Sequence, residues 1–420
     1  MELIIYLLFF LFLFFYNYKK YGFNGGTFVI SIYGIGVICG VYLLAFTDLY
    51  DPERLKISAI VYHCICLYLF LWPIIFMANK INGNYSMPNK QGMKIYNIII
   101  IVLSIGTYIL SIPKILNILK FDDLSMARNM YNYGMLYEEQ NSGFIDYIGS
   151  YGSALAYFAL YLFFYYLVNY PERKKLIVIM LLCSFTDAIT SLTLVGRGGI
   201  IRWLFMFLFF YFIFKDKIDQ RLLKKMRRIM VIASSPLLIV FLLITFSRFL
   251  GREYPIHVYM IDYIGQSYIY FSYIFDDFFT STFDGRMNFP ILFPGSEISR
   301  VLSEEVSTDY NLNTFATFIG SFYKDMGFVR TILLSFIFWI LFLLLYKYNP
   351  KRNSFVNLNL MVIISQIIIN GIFYFQYTST TKMKMFAVII LLALFLQLIF
   401  PRKKKIAHYI SPEENMVKEG

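Results

Sequence analysis

The sequence predicts an all-α fold, a polytopic transmembrane helical bundle of about eleven spans with one large extracytoplasmic loop. Three observations carry that expectation. The 420-residue chain is 59% hydrophobic, and its mean hydropathy is +0.61. Its charged residues, only 15% of the total, fall mostly between long apolar runs rather than within them. A bilayer-spanning helix needs about 20 mostly apolar residues. Hydrocarbon offers no partner to an unpaired backbone amide, so such runs can span only as helices.

Eleven runs fit: 3–16, 26–46, 57–78, 95–112, 147–168, 176–195, 200–214, 230–246, 328–346, 355–375 and 383–400. The first starts at Leu3 without a basic leader or a small-residue cleavage site, and so reads as a retained helix. The link from Lys215 to Arg228 carries seven Lys and Arg, and the tail 401–420 opens with Arg402-Lys403-Lys404-Lys405. The positive-inside rule places both in the cytoplasm. Alternation then puts the N-terminus outside and the C-terminus inside. On this assignment the cytoplasmic segments hold 23 of the 38 Lys and Arg but 6 of the 26 Asp and Glu, so the +12 net charge records topology rather than nucleic-acid binding.

The whole chain reads as one integral membrane domain. Two outward segments are longer than turns: a smaller extracytoplasmic loop over 113–146 and a large one over 247–327. Tyr and Phe crowd the second from Tyr254 to Phe283, as an interfacial belt would and as a sugar-stacking surface would. No internal repeat pairs two halves, as in many transporters. Cys39, Cys64, Cys66 and Cys183 lie inside apolar runs with neither disulfide nor zinc spacing. His63, His257 and His408 form no metal cluster, so neither a metal nor a cofactor is expected.

Residues able to do chemistry cluster near the outward ends of spans. Val195-Gly196-Arg197-Gly198-Gly199 precedes the seventh span. A helix N-terminus with glycine-freed backbone is an anion site, and Arg197 adds a two-donor fork for phosphate. A tight turn with an arginine reaching the headgroups gives the same pattern. Arg202, one turn further in, favours the anion site because a second guanidinium inside the membrane is costly. Arg248 and Arg252 share a face if the eighth helix continues, as ligand contacts or as interfacial anchors. Asp187 lies about 14 Å from the outer end of the sixth span. A charge at that depth costs about 2.5–3.5 kcal/mol and must face a cavity or a partner. Cys183, Thr190 and Ser191 share its face.

Gly320-Ser321-Phe322-Tyr323-Lys324-Asp325-Met326-Gly327, before the ninth span, resembles the Gly-x-x-Tyr-x-Asp-Phe-Gly pattern of bacterial oligosaccharide repeat-unit polymerases, the O-antigen or Wzy polymerases. The Gly196-Arg197-Gly198 turn resembles their Ser/Gly-Arg-Gly/Ser element, and the order of spans, basic link and large loop is similar. Met326 stands where the pattern has Phe, and the Arg-x10-Gly loop repeat of some members is absent. The resemblance implies a metal-independent glycosyltransferase that builds O-antigen or capsular polysaccharide from undecaprenyl-pyrophosphate-linked oligosaccharide, with a chain-length regulator as a partner. It implies Arg197, Arg252 and Asp325 as catalytic residues, Asp325 as the base. Arg202, Arg248, Asp187, Gly198, Gly199 and Tyr323 would contact substrate. A lipid-linked oligosaccharide flippase and an O-antigen ligase are the alternatives. The ligase requires a histidine in the large loop, where His257 is the one candidate.

Overall fold

The computed structural model describes residues 2–80, 83–118, 120, 144–221, 253–280, 283–293, 315–348, 353–378 and 380–401, with isolated positions from 224 to 249. Every regular element among them is helical: α1 Ile4–Tyr21, α2 Gly25–Phe46, α3 Ile57–Lys80, α4 Lys90–Ile118, α5 Phe144–Asn169, α6 Lys174–Cys183, α7 Thr186–Thr193, α8 Gly198–Phe214, α9 Ile256–Tyr273, α10 Thr317–Phe342, α11 Phe355–Asn370 and α12 Thr380–Ile399. Nine spans among the described residues are long and apolar enough to cross a membrane, α6 and α7 counting together as one, and α11 is a shorter apolar helix. The described positions between 220 and 249 are also helical. Large apolar side chains face outward, with Phe12, Ile109 and Leu398 about two-thirds exposed. Water would penalise such a surface; lipid does not.

The connections sort into two ends. At one, Lys215 donates to the Phe23 carbonyl, Lys217 to Asn84 (2.8 Å), the Ser86 amide to the Asn353 carbonyl (2.7 Å) and the Asn89 amide to the Phe400 carbonyl (3.0 Å). These are links expected on the basic side. At the other, Tyr273 donates to the Asp51 carbonyl (2.7 Å), the Lys56 amide to Ser272 (2.7 Å) and Tyr62 to the Phe328 carbonyl (2.7 Å).

Two expectations need correction. The segment 247–327 is not an excursion from the bundle throughout, because it contains α9, docked along α2. A Cβ on Gly265 would sit 2.6 Å from the Gly40 backbone nitrogen, and one on Gly36 would sit 2.5 Å from the Tyr268 ring. Small residues on both helices allow this approach. Tyr268, Ile269 and Phe271 of α9 are fully buried. The helix expected from 328 starts at Thr317 instead and kinks at Gly327, where φ of +73° suits a residue without Cβ. The loop 113–146 and the tail after 401 lie largely outside the described residues.

The sixth expected span is likewise two helices. After Cys183 the chain turns through Ser184 and Phe185, and α7 restarts with Asp187 in its first turn. Ser184 holds the break by donating to the Leu181 carbonyl (2.6 Å) and accepting from the Trp203 indole (3.0 Å).

Candidate functional site

The break and the turn after α7 aim polar groups into a cavity of about 1120 Å³ bounded by α5, α7, α8, α9, α10, α11 and α12. α8 runs about 25 Å from this cavity to Lys215, so the site occupies the half of the bundle away from the basic end.

Asp187 and Arg202 form its polar centre. Arg202 Nε and Nη2 reach the two oxygens of Asp187 at 3.0 and 3.3 Å. Ser153 and Tyr157 of α5 donate to the same carboxylate at 2.9 and 2.6 Å. A carboxylate accepting four donors answers the cost of carrying a charge into the membrane. Thr190 and Ser191 line the cavity with Asp187; Cys183, on the far side of the break, does not.

Arg197 is 4% exposed. It donates through Nη1 to Thr245 (2.8 Å) and lies 5.1 and 4.8 Å from the ring centroids of Phe249 and Tyr263. It is thus held between aromatic faces, a cation–π arrangement that an ammonium would reproduce less well. Val195, two residues before it, is a β-branched residue at φ +50°, a conformation that persists only where its surroundings impose it. Gly199 packs α8 onto α7, where a Cβ would meet that of Ser191 at 2.5 Å. Its amide donates to the Ser191 hydroxyl (3.0 Å). Gly198 lines the cavity; Gly199 does not. Arg248 and Arg252 lie outside the described residues, although Thr245 and Phe249 from the same stretch reach Arg197.

Tyr323 and Asp325 lie apart from these groups. Neither lines the cavity, and both are fully buried. Tyr323 donates to the Phe275 carbonyl (2.6 Å) and stacks on the Phe275 ring. Asp325 accepts from the amides of Gly285 (3.0 Å), Met287 (3.4 Å) and Asn288 (2.8 Å), and from the Asn288 side chain (3.0 Å). The motif is a clasp that fixes residues 283–293 on α10. Its yield is Asn288 and Ser321, which do line the cavity.

Sequence reasoning missed Lys382, Asn288 and Gln366. Lys382 of α12 lines the cavity, its ammonium donating to the Gln376 carbonyl (3.1 Å). Asn288 Oδ1 and Gln366 Nε2 are buried atoms without a hydrogen-bond partner among the described residues. Buried polar atoms normally find partners; here an acceptor and a donor belong to side chains that line one cavity. His257 is exposed near the start of α9 and does not line it. No protein-family model, curated protein or solved structure matches the chain.

Proposed function

We propose that this cavity binds the pyrophosphate and sugars of a lipid-linked oligosaccharide and transfers the glycan to a second such molecule, as a polysaccharide polymerase at the outer face of a bacterial plasma membrane. The observation that carries the reading is the composition of the cavity. Three cations, Arg197, Arg202 and Lys382, face it with a single carboxylate, Asp187, among its lining residues. The positive excess suits a di-anionic leaving group. The tyrosines, hydroxyls and amides around it suit a polyhydroxylated ligand, which both donates and accepts. In the transfer, the acceptor hydroxyl oxygen bonds to the anomeric carbon while the bond from that carbon to the pyrophosphate oxygen breaks. The lipid pyrophosphate leaves with the electron pair, stabilised by the guanidinium groups, and the acceptor proton passes to Asp187.

Arg197→Ala tests this in cells that depend on the protein for surface glycan. Removing a charge-assisted contact to a developing phosphate charge costs about 10²-fold or more in rate. At normal protein abundance the variant should leave single repeat units and little or no polymer, and Arg197→Lys should recover only part of the chain length. Polymer of normal length in Arg197→Ala would sink the assignment. Loss of the single-repeat product as well would point to a flippase.

A further inference from the structure

α1 and α3, with Ile30 of α2, enclose a second cavity of about 770 Å³. Its long walls are apolar and aromatic, including Phe9, Phe12, Ile65, Tyr68 and Trp72. From Ile5 to Lys20 it follows α1 for about 22 Å, longer than one leaflet's half of the roughly 30 Å hydrocarbon core. Its far end changes character. There Lys20 and Lys80 both bring their ammonium groups over the Tyr21 ring, at 5.5 and 5.6 Å from its centroid. Asn17 and Asn79 stand beside them, Asn79 donating to Asn17 (2.7 Å). Neither lysine has a carboxylate partner among the described residues.

Two like charges converging on one ring, at one end of an otherwise apolar channel, describe the outline of one kind of molecule. We infer that this groove is a binding site for an anionic glycerophospholipid, its acyl chain along α1 and α3 and its phosphate between Lys20 and Lys80. A zwitterionic lipid fits the apolar part equally but adds a cation where two already stand. The same two helices of a second copy, packed here, would bring lysines rather than carboxylates to this end. The inference is independent of the reading of the larger cavity, and its test involves no glycan.

Trp72 lies in the groove wall and serves as the probe. The purified full-length protein is reconstituted in phosphatidylcholine vesicles containing brominated phosphatidylglycerol or brominated phosphatidylcholine at equal mole fraction. The Trp72 signal is taken as the difference between wild type and Trp72→Phe. One basic residue near anionic lipid is worth on the order of fivefold in affinity. Brominated phosphatidylglycerol should therefore quench Trp72 with an apparent affinity about fivefold or more above that of the phosphatidylcholine. Lys20→Gln with Lys80→Gln should bring the ratio to about one without weakening the quenching by phosphatidylcholine. If that double variant does not fold, wild type at high salt should show a reduced ratio, because screening acts on the same contact. Equal quenching by the two lipids in wild type, or a preference that survives both the double variant and high salt, overturns the proposal. Failure of either lipid to quench Trp72 overturns it too, because the groove is then covered by protein.

Discussion

Asp187 and Arg202 depend on each other. Each is about one-sixth exposed, and removing one charge of such a pair leaves the other uncompensated, at a cost of about 3–5 kcal/mol, whereas replacing both by apolar groups is often neutral. Asp187→Leu should therefore lower the amount of folded protein in membranes. Asp187→Leu with Arg202→Met should restore it by immunoblot while, on the proposed function, polymer stays absent. Polymer of normal length in the restored double variant would show the pair to be structural only. The sequence made these two residues legible because a charge inside an apolar run must find a partner or a cavity. Lys382 was not legible, because a lysine at a span edge is by default an anchor. Asn288 was hidden for a different reason: nothing local marks which loop amide an aspartate 37 positions away will hold.

At the scale of elements, most helices followed from apolar length, and the departures come from residues that interrupt it. α9 carries Asp262, Gln266, Ser267 and Ser272, too polar for a span, and therefore read as loop. The signal that could have placed it is Gly36-x-x-x-Gly40 on α2, a small-residue face that allows backbones to meet. The motif from Gly320 to Gly327 was legible as a motif, and the contacts its Asp325 makes are those of a clasp on Gly285, Met287 and Asn288. This distinction is measurable. Asp325→Asn keeps the shape of the side chain but loses the charge that strengthens its hydrogen bonds, each worth about 1.5–3 kcal/mol when charged. The variant should unfold at a lower temperature and keep turnover within about tenfold of wild type at low temperature, where the clasp remains closed. A loss of turnover above about 10²-fold, the scale of a general base, with unchanged thermal stability would return Asp325 to the reaction itself.

For the whole molecule, the charge asymmetry foretold which connections meet. The links 17–25, 79–94, 215–229 and 347–354, all expected on the basic side, are brought together at one end by the Lys215, Lys217 and Ser86 contacts. Charge distribution could do this because each crossing reverses direction, so that one decision orients every link. Cysteines placed at Gln220 and Glu53, both exposed and at opposite ends, should accordingly react with an impermeant thiol reagent from opposite sides of intact cells, Glu53→Cys from outside. Labelling of both from one side would contradict the two-ended arrangement. Labelling of Gln220→Cys alone from outside would reverse the orientation.

The glycine seam between α2 and α9 also works as a register lock. Where backbone touches backbone at Gly40 and Gly265, no side chain can repack to accommodate a slip, and a shift of one residue would drive Gln266 or Ile264 into α2. Two positions before Gly265, on the same helix, Tyr263 covers the Arg197 guanidinium at 4.8 Å and lines the larger cavity. A slip of one residue would carry that ring about 1.5 Å along the axis and about 100° around it, off the arginine altogether. The seam thus sets, from one side of α9, the position of an aromatic lid over the cation on the other.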